Sequence, residues 1–305
     1  MPAPALVVLA GPTAVGKTGL SLELARRFGA EIVGADSVQV YRGLDIGSAK
    51  PTADEQARAR HHLIDMADAN ENFSAARYAH LADEAITDID ARGKRPLVVG
   101  GTGLYLKALI FGLAPTPPVD QALRERLRRE WEQQGPQAMH QRLGELDPAS
   151  AAKLHPNDRQ RVLRALEVCL QTGAPLSRRQ KSHGFAQARY PYLMIGLERP
   201  RPELNRRIEE RARAMWQEGL LEETRALLEA GVPPQAPGLA SLGYRQAVAF
   251  LRGQMRSEDA LFDMIKKTKA YAKRQLTWFR GVEGLIWHHA EDFEGIGRRV
   301  ADFWS

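Results

Sequence analysis

The sequence predicts an α/β fold, in which helices flank a parallel sheet and an all-helical segment interrupts the alternation of strands and helices. Short apolar runs rich in β-branched residues are typical of buried strands. Such runs lie at 6–10, 30–35 and 95–99, and a shorter strand is expected at 61–65. Strands that alternate with helices pair in parallel, because each helix carries the chain back to the starting edge of the sheet.

A proline-rich stretch at 114–118 marks a change of organisation. Only helical patterns with many arginines follow it, up to about residue 181, and a strand pattern then returns at 190–197. We therefore predict a first part of the α/β core at 1–113, a helical, arginine-rich insertion at 114–185, and the remainder of the core with basic C-terminal helices at 186–305.

The first strand runs directly into Gly-Pro-Thr-Ala-Val-Gly-Lys-Thr at 11–18, which fits the phosphate-binding pattern G-x-x-x-x-G-K-[ST]. A helical pattern follows and ends at Gly29, so the strand, loop and helix context that the motif requires is complete. Backbone N–H groups of such a loop point at phosphate oxygens, Lys17 reaches the terminal phosphates, and the Thr18 hydroxyl is a ligand for Mg²⁺. The fold is thus expected to be P-loop NTPase-like. The predicted diphosphate-binding residues are Gly11, Thr13, Ala14, Val15, Gly16, Lys17 and Thr18.

Two further strand ends carry polar groups. Asp36 follows the second strand and opens a long stretch of weak periodicity up to Pro51. This carboxylate could be a metal ligand, a general base or a helix cap. Thr102 lies in a glycine-rich turn, Gly-Gly-Thr-Gly at 100–103, where backbone can approach a ligand closely; a turn needed only for tight packing is the alternative.

Composition excludes several classes of protein. The chain has 305 residues, 44% of them hydrophobic, and one cysteine, Cys169, so an internal disulfide and a cysteine-cluster zinc site are excluded. No apolar run approaches membrane-spanning length, and residues 1–4 lack a signal pattern. We expect a cytoplasmic enzyme without a membrane partner.

The basic residues are clustered rather than dispersed, although the net charge is only +6. Stripes of arginine and lysine suit a polyanion such as nucleic acid, and they equally suit ordinary solvated helix faces. The clusters lie at 124–129, 159–164, 178–181 and 266–274, and Arg206, Arg207, Arg211 and Arg213 share one predicted helix.

Six motifs taken together resemble the bacterial tRNA dimethylallyltransferases, the isopentenyltransferases that modify the adenine beside the anticodon. The resemblance covers nearly the whole chain. The motifs are the loop at 11–18, the run from Asp36 to Pro51, Gly-Gly-Thr-Gly-Leu-Tyr at 100–105, His-Pro-Asn-Asp at 155–158, Gly-Tyr-Arg-Gln at 243–246 and Ala-Lys-Arg-Gln-Leu-Thr-Trp-Phe-Arg at 272–280. Val15 and Ser48 depart from the family pattern, where serine and threonine are common.

The resemblance implies that the bound phosphates are the diphosphate of dimethylallyl diphosphate rather than ATP. The exocyclic N6 of the adenine at position 37 of tRNA would displace diphosphate from the allylic carbon. Asp36 would accept the proton, Thr102 would orient the amine, and Lys17, Arg211 and a Mg²⁺ ion on Thr18 would stabilise the leaving group.

The base would be flipped out of the anticodon stack to reach the site. Residues implied to contact tRNA are Asp36, Ser37, Val38, Gln39, Thr102, Arg124, Gln160, Arg161, Val162, Leu163, Arg164, Gly243, Tyr244, Arg245, Gln246, Lys273 and Arg274. The expected state is a monomer. A P-loop kinase for a nucleoside or small metabolite, and a non-catalytic tRNA- or nucleotide-binding module, are the alternatives.

Overall fold

The computed structural model describes residues 3–184 and 187–305. Its centre is a six-stranded sheet in which every pair of neighbouring strands is parallel. The strands are β1 (Leu6–Ala10), β2 (Ala30–Ala35), β3 (His61–His62), β4 (Arg95–Gly100), β5 (Tyr192–Glu198) and β6 (Ile286–His289). Their order across the sheet is β3-β2-β4-β1-β5-β6. The predicted α/β fold with a parallel sheet is confirmed.

Thirteen helices accompany the sheet in the described residues. They are α1 (Lys17–Phe28), α2 (Ala53–Arg58), α3 (Ala75–Ala91), α4 (Gly103–Phe111), α5 (Gln121–Leu146), α6 (Pro148–Ala151), α7 (Arg159–Thr172), α8 (Leu176–His183), α9 (Arg201–Gln217), α10 (Leu220–Glu229), α11 (Tyr244–Leu251), α12 (Ser257–Arg280) and α13 (Phe293–Trp304). None of these helices is both long enough and apolar enough to cross a membrane.

The chain divides into two compact units. The first contains the sheet and joins the residues up to Ile110 with Arg189–Ser305, and the second is Phe111–Ala188. The helical insertion had been predicted at 114–185. Leu127, Trp131, Met139, Leu143, Val162 and Leu166 form much of the buried core of the second unit.

Two local predictions differ from the structure. The strand expected at 61–65 comprises only His61–His62, because Leu63 and Asp65 adopt positive φ angles of 64° and 56° that leave the extended conformation. The helix break expected at Gly135-Pro136 is a kink inside α5, where Gly135 has a φ of 80°.

The strand register brings three loops together at one edge of the sheet. Ala10 of β1 and Ala35 of β2 both pair with Gly100 of β4. A Cβ on Gly100 would lie only 2.1 Å from the Ala35 carbonyl oxygen, so close pairing requires glycine there. The residues that follow these three positions, the phosphate loop, Asp36 and the 101–103 turn, therefore leave the sheet side by side.

Candidate active site

The phosphate loop is shaped by glycines at both of its ends. Gly16 has a φ of 113°, in a region that residues with a Cβ rarely adopt. Gly11 has a φ of 154°, and a Cβ there would lie 3.0 Å from the Leu197 carbonyl oxygen of β5. The loop can thus lie tightly against the sheet and lead directly into the N-terminus of α1, a position that favours bound phosphate.

Lys17 folds back over this loop. Its Nζ donates to the Gly11 carbonyl at 2.9 Å and to the Pro12 carbonyl at 2.8 Å. Burial lowers the pKa of the ammonium to about 8, against the opposing effect of the Asp36 carboxylate and with a further lowering by Arg211. Lys17 is thus a cation held among neutral acceptors, available to an incoming anion.

Two arginines of α9 donate hydrogen bonds to the phosphate loop. Arg207 Nε donates to the Ala14 carbonyl at 2.9 Å, and Arg211 donates to the Thr13 hydroxyl. Burial lowers the pKa of Arg211, while the nearby Asp36 opposes the shift. The side chain of Arg211, predicted to stabilise the diphosphate, therefore lies at the phosphate loop.

Sequence reasoning missed a third arginine, Arg199, which follows β5. Its Nε donates to the Val15 carbonyl at 2.8 Å, and its guanidinium pairs with Glu203 and with Glu291, the latter at 2.8 Å. No phosphate-binding pattern includes this position, so only the closeness of β5 to β1 in space reveals it.

Asp36 and Thr102 meet across the ends of β2 and β4. Asp36 Oδ1 accepts the Val38 N–H at 2.8 Å, so one carboxylate oxygen closes an Asx turn. No helix begins at Asp36, so this contact is not the helix cap considered from the sequence. The Thr102 hydroxyl accepts the Ser37 N–H at 3.1 Å and lies close to the Tyr271 hydroxyl. Burial and Asp36 raise the pKa of Tyr271 to about 12, so this phenol stays protonated. The two predicted catalytic residues are thus neighbours.

A cleft of about 570 Å³ is lined by the phosphate loop and by Asp36. It contains the phosphate loop, Asp36, Gln39 and the two α9 arginines, together with Tyr271 and Gln275 of α12. The described residues hold no group of three or more His, Cys, Asp or Glu side chains that could bind a metal ion by themselves.

The loop after Asp36 is held by several hydrogen bonds to side chains. Gln39 Nε2 donates to the Ala49 carbonyl at 2.9 Å, and the buried Lys50 donates to Asp65 at 2.6 Å. Glu223 of α10 accepts the Asp45 and Ile46 N–H groups, each at 2.9 Å. Sequence reasoning did not identify Glu223, which acts through backbone groups more than 170 residues away in the chain.

Comparisons with known proteins decide the family. The family model described as IPP transferase matches residues 39–282. The chain is 46% identical over 301 residues to the tRNA dimethylallyltransferase of Geobacter sulfurreducens, covering 98% of this chain and 97% of the relative. It is 48% identical over 303 residues to the tRNA dimethylallyltransferase 1 of Pelobacter propionicus, covering 99% and 98%. The chain belongs to the tRNA dimethylallyltransferase family.

Solved structures of family members agree with this assignment. The tRNA isopentenylpyrophosphate transferase of Bacillus halodurans has a TM-score of 0.73 at 38% identity, over 98% of this chain and 96% of its own. A eukaryotic dimethylallyltransferase acting on tRNA has a TM-score of 0.81 at 29% identity, over 98% of this chain and 77% of its own. The P-loop NTPase-like fold expected from the sequence is confirmed, and the kinase alternative is not favoured.

In the second unit, the residues implied for tRNA contact differ in their exposure to solvent. Gln160 and Arg161 of α7 are exposed, whereas Val162 and Leu163 are buried in the core of the unit. The side chains of Val162 and Leu163 pack in this core, and contact of this segment of α7 with RNA stays a prediction. They anchor the helix that presents Arg161.

Arg124 and Arg164 have a partner that the sequence did not reveal. The buried Glu167 accepts from Arg124 Nε at 2.6 Å and from Arg164 at 3.0 Å. Burial acts to raise the pKa of Glu167, but the two arginines outweigh it and hold the pKa below its ordinary value. Both arginines thus neutralise an internal carboxylate.

The remaining predicted tRNA contacts lie on α11 and α12. Arg245, Lys273 and Arg274 are exposed. Tyr244 and Gln246 are buried, and Gln246 Nε2 donates to Asp263 at 2.8 Å. RNA contact at these two positions stays a prediction. Gly243 is also buried, at the start of α11, where its φ of 93° calls for glycine.

Proposed function

We propose that the protein transfers a dimethylallyl group from dimethylallyl diphosphate to N6 of the adenine beside the anticodon of tRNA, at position 37, and releases diphosphate. One observation carries the proposal: a phosphate-binding loop and Asp36 line the same cleft, and Thr102 binds the N–H of Ser37, the residue next to Asp36. The names of family members that are 46% and 48% identical support the same reaction.

The reaction needs a proton acceptor because the lone pair of an exocyclic adenine amine is delocalised into the ring. As the N6–carbon bond forms and the allylic carbon–oxygen bond breaks, the amine loses a proton, for which Asp36 is the acceptor in this proposal. The Val38 N–H at 2.8 Å fixes one carboxylate oxygen and so orients the group. Thr102 orients the amine by a hydrogen bond.

The leaving diphosphate gains negative charge as the carbon–oxygen bond breaks. Lys17 and Arg211 are the cations that stabilise it, since both reach the loop and neither is neutralised by a carboxylate at hydrogen-bond distance in the described contacts.

A Mg²⁺ ion fits the donors of this cleft. Mg²⁺ is commonly held by one or two protein oxygens together with substrate phosphates, which suits the Thr18 hydroxyl at the start of α1 and the absence of a larger ligand cluster in the described residues. The ion would neutralise charge on the diphosphate.

The adenine must leave its stack to enter the cleft, which costs a few kcal/mol. Exposed cations, among them Arg161, Lys273 and Arg274, offset this by contacts with RNA phosphates. Ser37, Val38 and Gln39 follow Asp36 and are the residues proposed to contact the flipped base. A cytoplasmic, monomeric enzyme remains a prediction.

The deciding experiment supplies the protein with Mg²⁺, dimethylallyl diphosphate and an unmodified anticodon hairpin. We expect prenyl transfer, detected by mass spectrometry, with an equal amount of diphosphate released. A matched hairpin with guanine in place of that adenine should receive nothing. Consumption of ATP with a small acceptor, and no prenyl transfer, would support the kinase alternative instead.

A further inference from the structure

Gln275 of α12 joins two loops of the cleft. Its Oε1 accepts the Thr13 N–H of the phosphate loop at 3.0 Å, and its Nε2 donates to the Gly101 carbonyl of the β4 turn at 2.9 Å. The side chain is 7% exposed. It thus connects the loop that holds phosphate to the turn that carries Thr102.

A neutral amide side chain satisfies both partners at any pH. Thr13 offers a donor and Gly101 an acceptor, so the bridging group must accept with one atom and donate with the other. A Cβ on Gly101 would lie 2.4 Å from Gln275 Nε2, so this turn has no room for a side chain beside the bridge. Loss of the amide would leave two polar groups in a buried place without partners.

The same helix face continues into the cleft. Tyr271, one turn before Gln275, lies close to Thr102, and Trp278, one turn after it, packs against Gly103. Helix α12 therefore lies against the 101–103 turn along three positions spaced about one helical turn apart. Of these three side chains, Gln275 is the one that also accepts a hydrogen bond from the phosphate loop.

We propose that Gln275 is a positioning residue that sets the distance between the bound diphosphate and the base-side groups Asp36 and Thr102. This inference rests on the proposed function. A misplacement of about 1 Å between reacting groups can reduce a rate by about a hundred-fold. Loss of the bridge should therefore slow transfer more than it weakens binding of either substrate.

The first test compares Gln275→Leu with the wild type. We expect kcat to fall by about ten- to a hundred-fold, while Kd for inorganic pyrophosphate with Mg²⁺ changes by less than about three-fold, since Lys17, Arg211 and the loop N–H groups remain. Thr268→Val is the control on the same helix, because the Thr268 hydroxyl donates only to the Met264 carbonyl of its own helix at 2.7 Å. It should keep the kcat of the wild type.

The second test uses Gln275→Glu and pH. An ionised carboxylate still accepts from Thr13 but faces the Gly101 carbonyl without a proton to donate. Once protonated, the introduced carboxyl can do both. The ratio of variant kcat to wild-type kcat should rise as pH falls, by about ten-fold per pH unit above the pKa of that carboxyl. A side chain that only filled space would give a ratio independent of pH.

A third measurement needs no substrate. Amide hydrogen exchange at Thr13 should be slow in the wild type, fast in Gln275→Leu and slow again in Gln275→Glu. If Gln275→Leu does not fold, the pH ratio and the exchange rate of Gln275→Glu decide alone.

Equal kcat in folded Gln275→Leu and the wild type, or a flat pH ratio with unprotected Thr13, would overturn the inference. An inactive wild type would instead overturn the proposed function. The exchange rate of the Thr13 amide would then still show whether Gln275 holds the phosphate loop.

Discussion

Arg207 and Arg211, beside the phosphate loop, differ in the charge of their partners from Arg124 and Arg164 of the second unit. Arg207 and Arg211 donate to a backbone carbonyl and a hydroxyl, which carry no net charge. Arg124 and Arg164 donate to the carboxylate of Glu167. The same residue type therefore leaves positive charge available in one region and cancels internal negative charge in the other.

This difference has an energetic signature. Burial lowers the pKa of Arg211, and the neighbouring Arg207 lowers it further. Holding unneutralised cations together is unfavourable until an anion arrives. The pKa of Glu167, in contrast, is lowered because its arginines more than offset its burial. The first arrangement is typical of a binding site and the second of a structural ion pair.

The largest expected effect is the loss of kcat when Asp36, the carboxylate near Lys17 and Arg211, is replaced. If Asp36 is the base, Asp36→Asn should reduce kcat by about a hundred- to ten-thousand-fold. The amide oxygen can still accept the Val38 N–H, so the loop should keep its conformation. Removal of a negative charge from an anion site should leave pyrophosphate affinity unchanged or increase it.

Asp54→Asn, at the exposed start of α2, is the matched control for this substitution. If Asp36→Asn bound pyrophosphate more tightly yet kept normal turnover, Asp36 would be an electrostatic partner of Lys17 and not a base.

The next effect tests the structural ion pair. Arg124→Met removes one partner of the buried Glu167, for which we expect a loss of about 3 kcal/mol in the free energy of unfolding, measured by urea denaturation. Arg164 remains at 3.0 Å and keeps the loss near the lower end. A second substitution, Glu167→Met, should restore much of the stability.

The loss in the free energy of unfolding caused by Arg124→Met should depend on pH in a defined direction. Because the folded pKa of Glu167 is depressed, its stabilising contribution is present above pH 4.5 and is lost as pH falls through the folded pKa. The difference between wild type and Arg124→Met should therefore shrink below about pH 4.5. If Arg124→Met kept the stability of the wild type but bound RNA more weakly, the predicted contact between Arg124 and RNA would be supported instead.

These contrasts also explain how far the sequence could predict the site. The loop at 11–18, Asp36 and Thr102 were identified because each follows a strand of recognisable pattern, and the parallel register then brings them together. Local spacing is sufficient for such groups, since the strand ends share one edge of the sheet.

Partners distant in the chain could not be predicted in this way. Glu167 lies 43 residues from Arg124, and Gln275 lies 262 residues from Thr13. Val162 and Leu163 share a motif with Arg161 but face the core, because neighbouring positions on a helix point in different directions. The sequence indicated an arginine-rich helix correctly, but the partner of each arginine depends on tertiary packing.

A smaller effect is expected from the titration of Lys17. With a pKa of about 8 in the free protein, Lys17 is charged at pH 7 and mostly neutral at pH 9. Binding of an anion holds the proton on Lys17, so pyrophosphate affinity should fall by about ten-fold over that interval. Isothermal titration calorimetry with Mg²⁺ and pyrophosphate would measure it. Lys17→Arg should remove this part of the pH dependence, and an identical profile in both proteins would assign the titration to another group.

The smallest expected effect separates an exposed arginine of the second unit from its buried neighbours. The Arg161 side chain is 73% exposed and lies 3.4 Å from Asp158, a surface pair worth little to stability. Arg161→Ala should weaken binding of an anticodon hairpin by a few-fold and reduce the slope of log K against log salt by about 1, because one phosphate contact is lost. Arg256→Ala is the matched control, since Arg256 is 83% exposed and also pairs with an aspartate three residues away. Equal salt slopes for the two variants would remove Arg161 from the predicted RNA contacts.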